Sequence, residues 1–177
     1  MRQLRRWLFF TASHVFRGLL WVALLIMAFY TALNTAHLWI LVDDGLEARA
    51  QTIISGTDDK NLLKYFTQDY LNQDPVLMVG NSVSSPYKDY NIRGFKHKTR
   101  INAIWAWPWE SVATADVLEE VSSIDGTLLP EKRENLPQGS GESRLQPPPW
   151  NPCRYRVLFI RYGGRWRISN LQYLTLE

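Results

Sequence analysis

The chain has one cysteine, three histidines and, from Gly18 to Val42, no charged residue at all. With Cys153 alone, no intramolecular disulfide forms. Paired-cysteine metal motifs and Asn-x-Ser/Thr sequons are both missing. An extracytoplasmic domain without disulfides relies on its core, which suits a bacterial surface better than a eukaryotic secreted fold. Beyond Arg17 the charges nearly cancel, with sixteen Lys and Arg against seventeen Asp and Glu. The pI of about 9.1 is therefore set by the N-terminus. No nucleic-acid partner is expected on that balance, and no sequence motif calls for a cofactor.

What is present is one long apolar run. Residues 18–42, GLLWVALLIMAFYTALNTAHLWILV, make a helix of about 37 Å, enough to cross a hydrocarbon core of about 30 Å with tilt. Arg2, Arg5, Arg6 and Arg17 precede it, while Asp43, Asp44 and Glu47 follow. Lys and Arg favour the cytoplasmic side, so residues 1–17 are expected inside, 18–42 in the plasma membrane and 43–177 outside. Trp7, Trp21 and Trp39 suit the two interfaces. A cleaved signal peptide is the rival reading. The run is long for one, and Asn34 and Tyr30 spoil the small-x-small sites before His37 and Asn34. Ala28, Ala32 and Ala36 recur at helical spacing, with Asn34 beside them. Such a stripe admits a second helix, hence a homo-oligomer, although Ala is common in any spanning helix.

The span is expected to run on as a helix. Leu46, Ala50, Ile53 and Ile54 share one face, and Gly56 is placed to end it. Thr57 or Asp58 would cap a second helix with Leu62, Leu63, Phe66 and Tyr70 on its apolar face, ended by Pro75. Residues 80–89 read as a loop. From Phe95 the period becomes two. Phe95, Ile101, Ala103, Trp105 and Trp107 fall on one parity, expected inward, while Lys96, Lys98 and Arg100 fall on the other. Pro108 marks an edge or strand end. A second strand is expected from Val112 to Ile124, closed by an Asp125-Gly126 turn. Residues 130–152 hold six of the nine prolines, with Gly139 and Gly141, and read as a long loop. CRYRVLFIRY and RWRISNLQYL, joined by Gly163-Gly164, form a hairpin with a two-residue turn. Helices followed by antiparallel strands define an α+β domain with helices packed on one sheet face.

Leu62 to Asp74 (LLKYFTQDYLNQD), Arg154 to Ile160 and Gly164 to Leu171 carry a resemblance. N-terminal helices followed by a sheet that closes on such a hairpin resemble the nuclear-transport-factor-2-like (cystatin-like) superfamily. With one N-terminal span, the layout is similar to the inner-membrane VirB8-type assembly proteins of conjugation and type IV secretion. The resemblance implies a curved sheet and a non-catalytic scaffold whose partners are other membrane or cell-surface proteins. It is architectural and carries over no functional residue.

The candidate chemistry is sparse. His97, the one histidine beyond the span, shares a parity with Phe95 and Ile101. With Asp69, Asp116 or Glu119 it would form an acid–base pair in a pocket lined by Trp105 and Trp107, as enzymes of that superfamily use. A histidine near a strand end is also a common structural residue. Lys96, Lys98 and Arg100, and Arg154 to Arg167, suit either an anionic partner or cross-strand pairing with the intervening carboxylates, Asp116 to Glu134. Trp109 and Trp150, each after a proline, suit interface anchors, and a buried core is the alternative. A small-ligand pocket and a surface or sporulation-type regulator stand beside the scaffold reading.

Overall fold

The computed structural model describes residues 2–56, 61–133 and 145–174, with side chains from His14 onward. The arginine side chains 2, 5 and 6, the Trp7 ring, the caps expected at Thr57 and Asp58, and Glu134, Gly139 and Gly141 lie outside the described residues.

Helix α1 runs unbroken from Arg2 to Ser55. No proline interrupts it, and the hydroxyls of Thr31, Thr35 and Thr52 donate back to the carbonyls of Met27, Thr31 and Ala48. Those bonds satisfy hydroxyls that the surroundings do not. Gly56, at φ +64°, ends the helix in the left-handed region. From His14 to Tyr30 every side chain is exposed, whereas Leu38, Val42, Leu46 and Ala50 are fully buried. Leu38, Leu41 and Val42, placed in the span by sequence, are thus core residues of the domain.

The single helix expected between a cap at Thr57 or Asp58 and Pro75 is, over the described residues 61–74, two short ones, α2 (Leu62–Tyr65) and α3 (Gln68–Leu71). Phe66 leaves the helix in an extended conformation and bridges to Ile168, while Thr67 N–H donates to the Ile168 carbonyl at 2.9 Å. Full burial of the Phe66 ring outweighs the local helical pattern. Pro75 starts a helix instead of ending one. It opens α4 (Pro75–Gly80), where its missing N–H costs nothing, and Asp74 caps the turn. Gly80 lets α4 approach α1 closely: a Cβ there would lie 2.9 Å from the Ile53 Cα.

Strands β1 (Tyr90–Trp105), β2 (Val112–Leu128), β3 (Cys153–Tyr162) and β4 (Arg165–Leu174) form an antiparallel meander in the order β1-β2-β3-β4. The short helix α5 (Pro130–Arg133) follows β2. Gly163 and Gly164, at φ +57° and +78°, make the β3–β4 turn expected from sequence. The expected Asp125-Gly126 turn lies within β2, paired with Gly94 and Ile92 of a longer β1. One sheet face packs on α1 through Ala113, Ala115, Val117, Tyr155, Val157, Phe159 and Ile168.

Trp105, at the end of β1, and Trp107 just beyond it do not face that core. Register slips between Ile101 and Ala103, with Asn102 as the extra residue. Asn102 and Ala103 both lie outward, so Ile104 and Ala106 turn in, and Trp105 and Trp107 turn out. A bulge of one residue reverses every side chain beyond it.

Candidate functional site

Three groupings of polar and aromatic side chains stand out. The first joins α1 to the short helices. Arg49 Nε and Nη2 donate to Asp74 Oδ2 and Oδ1 at 2.6 and 3.1 Å. The Tyr70 hydroxyl donates to Oδ2 at 2.8 Å, and the N–H groups of Val76 and Leu77 donate to Oδ1. Burial disfavours the Asp74 charge, but the Arg49 hydrogen bonds and charge prevail and hold its carboxyl below the ordinary range. Burial pushes the Tyr70 hydroxyl well up. Arg49 sits on the buried stripe between Leu46 and Ile53, and a cation on an apolar helix face is the sequence signal that announces such a partner.

The second grouping lies on the inner sheet face. His97 does point inward, and of the three carboxylates considered it meets Glu119, Nε2 to Oε1 at 3.1 Å. The side chains are 3% and 0% exposed. Glu119 Oε2 and Thr99 Oγ1 are buried without a protein partner. The dyad has the atoms for proton exchange, but solvent scarcely reaches it. Trp105 and Trp107 face away, and Asp116 is on the opposite face, bonded by Arg156 at 3.0 and 3.4 Å. That guanidinium holds the Asp116 carboxyl below its ordinary range. The structure therefore does not gather His97, Trp105, Trp107 and Asp116 into one pocket.

On the outer face Lys96, Lys98 and Arg100 are exposed in a row, and Arg100 pairs with Glu120 at 3.6 Å. The Arg156–Asp116 and Arg100–Glu120 pairs are the cross-strand pairing that accounts for part of the basic residues without a ligand. Trp150 packs half-buried against the cluster of Ala50, Ile53, Tyr87 and Val121, so it is a packing residue in this fold. Ala28, Ala32 and Ala36 are exposed along α1, whereas Asn34 faces the domain.

The third grouping is at the end of the sheet where α1 leaves it. Trp105, Trp107 and Trp109 form a ladder: the first two rings meet edge to face and the next two stack, each pair 5.2 Å apart. Arg161 ties this end together. It donates to the Pro108 carbonyl at 3.0 Å and to Asn34 Oδ1 at 3.3 Å, with its guanidinium 4.6 Å from the Trp166 ring centre. Sequence reasoning placed Arg161 among the basic residues from Arg154 to Arg167 but missed its contact with α1, because no local pattern records a partner 127 residues away.

Among the described residues no cluster of His, Cys, Asp or Glu is suited to a metal. No family model, curated protein or solved structure matches the chain. The class is therefore defined by architecture: an α+β domain with a four-stranded antiparallel sheet, carried on one helix long and apolar enough to cross a membrane.

Proposed function

We propose that the chain is a single-pass membrane protein whose domain works by contact, as a scaffold in a membrane complex of conjugation or type IV secretion type. The N-terminus lies in the cytoplasm and the domain outside the plasma membrane, in keeping with the arginines before the apolar run and the carboxylates after it. The observation that carries the reading is the continuity of α1. The same helix is exposed all round from His14 to Tyr30 and is the centre of the domain core from Leu38 to Ile54. A domain on a flexible linker samples many heights and angles; this one is held in a single pose by its own core. A fixed pose is what a structural part needs. The VirB8-like form of the proposal is supported by helices on an antiparallel sheet behind one N-terminal span.

The test uses the full chain in cells, with a tag after Glu177. Protease added to intact spheroplasts should remove the tag, and mild-detergent isolation after cross-linking should recover partner membrane proteins. Inserting Gly-Ser-Gly-Ser after Leu33 should keep anchor and domain but abolish partner recovery. A protected tag overturns the orientation. Bare monomer under all conditions, or recovery indifferent to the insertion, overturns the scaffold.

A further inference from the structure

The direction of α1 along the sheet decides which end of the domain is nearest the proposed span. Asn34 meets Arg161 near the end of β3. Gly45 lies against Ile168, and Ile53 lies against Gly80 and in the cluster with Val121. The exposed half of α1 therefore leaves the domain where the β1–β2 and β3–β4 turns lie together. That end carries exposed aromatic rings and arginines together. Trp105, Trp107 and Trp109 are 58%, 36% and 65% exposed, and Tyr162 is 67% exposed. Arg161, Arg165 and Arg167 accompany them, with Arg167 5.8 Å from the Tyr162 ring centre. Glu110 is the acidic residue of the β1–β2 turn, and its carboxylate accepts the Trp107 N–H.

We propose that this end of the sheet rests on the bilayer, with the tryptophan ladder in the interface and Arg165 and Arg167 on phospholipid phosphates. Indole rings favour that depth because one edge is apolar and the N–H end is wet. Guanidinium groups there meet anionic headgroups. The inference rests on the membrane-span reading and refines it. A span reaching Val42 would drag Arg161, and with it the docked turns, into hydrocarbon. A boundary at Asn34 avoids this, and from His14 to Leu33 the helix is about 30 Å long, one hydrocarbon core. Arg17, one turn inside the opposite boundary, reaches back along its alkyl stem.

The test places one environment-sensitive fluorophore on single cysteines in a Cys153→Ser background. The full chain is reconstituted in phosphatidylcholine–phosphatidylglycerol vesicles carrying a nitroxide lipid. Three positions are compared: Ser111→Cys beside the ladder, Ser84→Cys at the far end, and Ala23→Cys in the exposed half of α1. β1 alone is roughly 50 Å long, so Ser84 is out of reach of the nitroxide. Labels at 23 and 111 should be quenched at least about twofold more than at 84. Replacing Trp105, Trp107 and Trp109 together by Ser, all exposed positions, should abolish quenching at 111 and leave it at 23. Quenching at 23 with none at 111, or quenching at 111 that survives the triple replacement, overturns the docked end alone. No quenching at 23 overturns the span reading and this inference with it.

Discussion

Arg49 and Asp74 face each other inside the domain, both side chains 1% exposed, in a two-bond pair that joins α1 to the cap of α4. The pair sits well inside the buried half of α1, a helix that is exposed from His14 to Tyr30 and reaches the core at Leu38. Asp74→Ala would strand a buried guanidinium, the Tyr70 hydroxyl and two backbone N–H groups. It should cost about 3–5 kcal/mol, read as a lower denaturation midpoint at unchanged slope. Replacing Arg49 and Asp74 together by Leu should recover part of that loss, because no charge is then left unpaired while the Tyr70 hydroxyl and the N–H groups of Val76 and Leu77 still lack their acceptor. A double variant as unstable as Asp74→Ala would show that the pair's value lies elsewhere.

The same network sets the pH range of stability. Burial opposes the Asp74 charge, but the Arg49 bonds outweigh it and lower the folded value below the ordinary 3.8. A lowered carboxyl contributes stability that is present above its ordinary value and lost as pH falls through the folded one. Tyr70 and Tyr155 move the other way, chiefly by burial, from an ordinary 10.0. Their contribution is complete below 10.0 and lost as pH rises toward their folded values. Melting temperature should hold a plateau between about pH 4 and 10 and fall outside it on both sides. Stability that kept rising below pH 4 would contradict the Asp74 assignment.

Elements governed by short-range pattern were legible in the sequence. The Gly163-Gly164 turn needs two positive φ values, and glycine supplies both. The alternation of Ala113, Ala115, Val117 and Val121 put the correct face of β2 inward. What was hidden depends on distant partners. Phe66 breaks its helix to reach Ile168, and the extra residue Asn102 turns Trp105 and Trp107 outward, a slip that only the register with β2 reveals. The candidate pocket was misjudged for that reason: His97 lies before the bulge and faces in, and the tryptophans lie after it. Likewise, an apolar run looks the same whether lipid or a sheet covers it, so Leu38 to Val42 read as span.

His97 and Glu119 test whether the inner-face dyad is structural. His97→Ala leaves a buried carboxylate with both oxygens unpartnered, since Oε2 already has none. It should destabilise by about 2–4 kcal/mol, and Glu119→Ala by somewhat less. The double variant should be less unstable than the sum, with a coupling of about 1–3 kcal/mol in a denaturation cycle. Strict additivity would mean that the 3.1 Å contact carries no energy.

Arg161 is the remaining test of how the domain grips its helix. Its guanidinium donates to the Pro108 carbonyl at 3.0 Å and to Asn34 at 3.3 Å, and lies over Trp166 at 4.6 Å. Arg161→Ala removes all three at once and should cost about 1–3 kcal/mol. The loss should be local as well as global: amide exchange at Glu110, whose N–H bonds to the Trp107 carbonyl at 3.1 Å, should quicken more than exchange at Val117 in mid-sheet. Arg161→Lys should rescue little, because one ammonium cannot match the planar fork that spans two acceptors and a ring. Asn34→Ala should cost less than about 1.5 kcal/mol, since it removes only the longer of the two hydrogen bonds. Were Arg161→Ala to leave both the melt and the exchange at Glu110 unchanged, the β1–β2 turn would be held without Arg161, and the tryptophan ladder would owe its place to the strands alone.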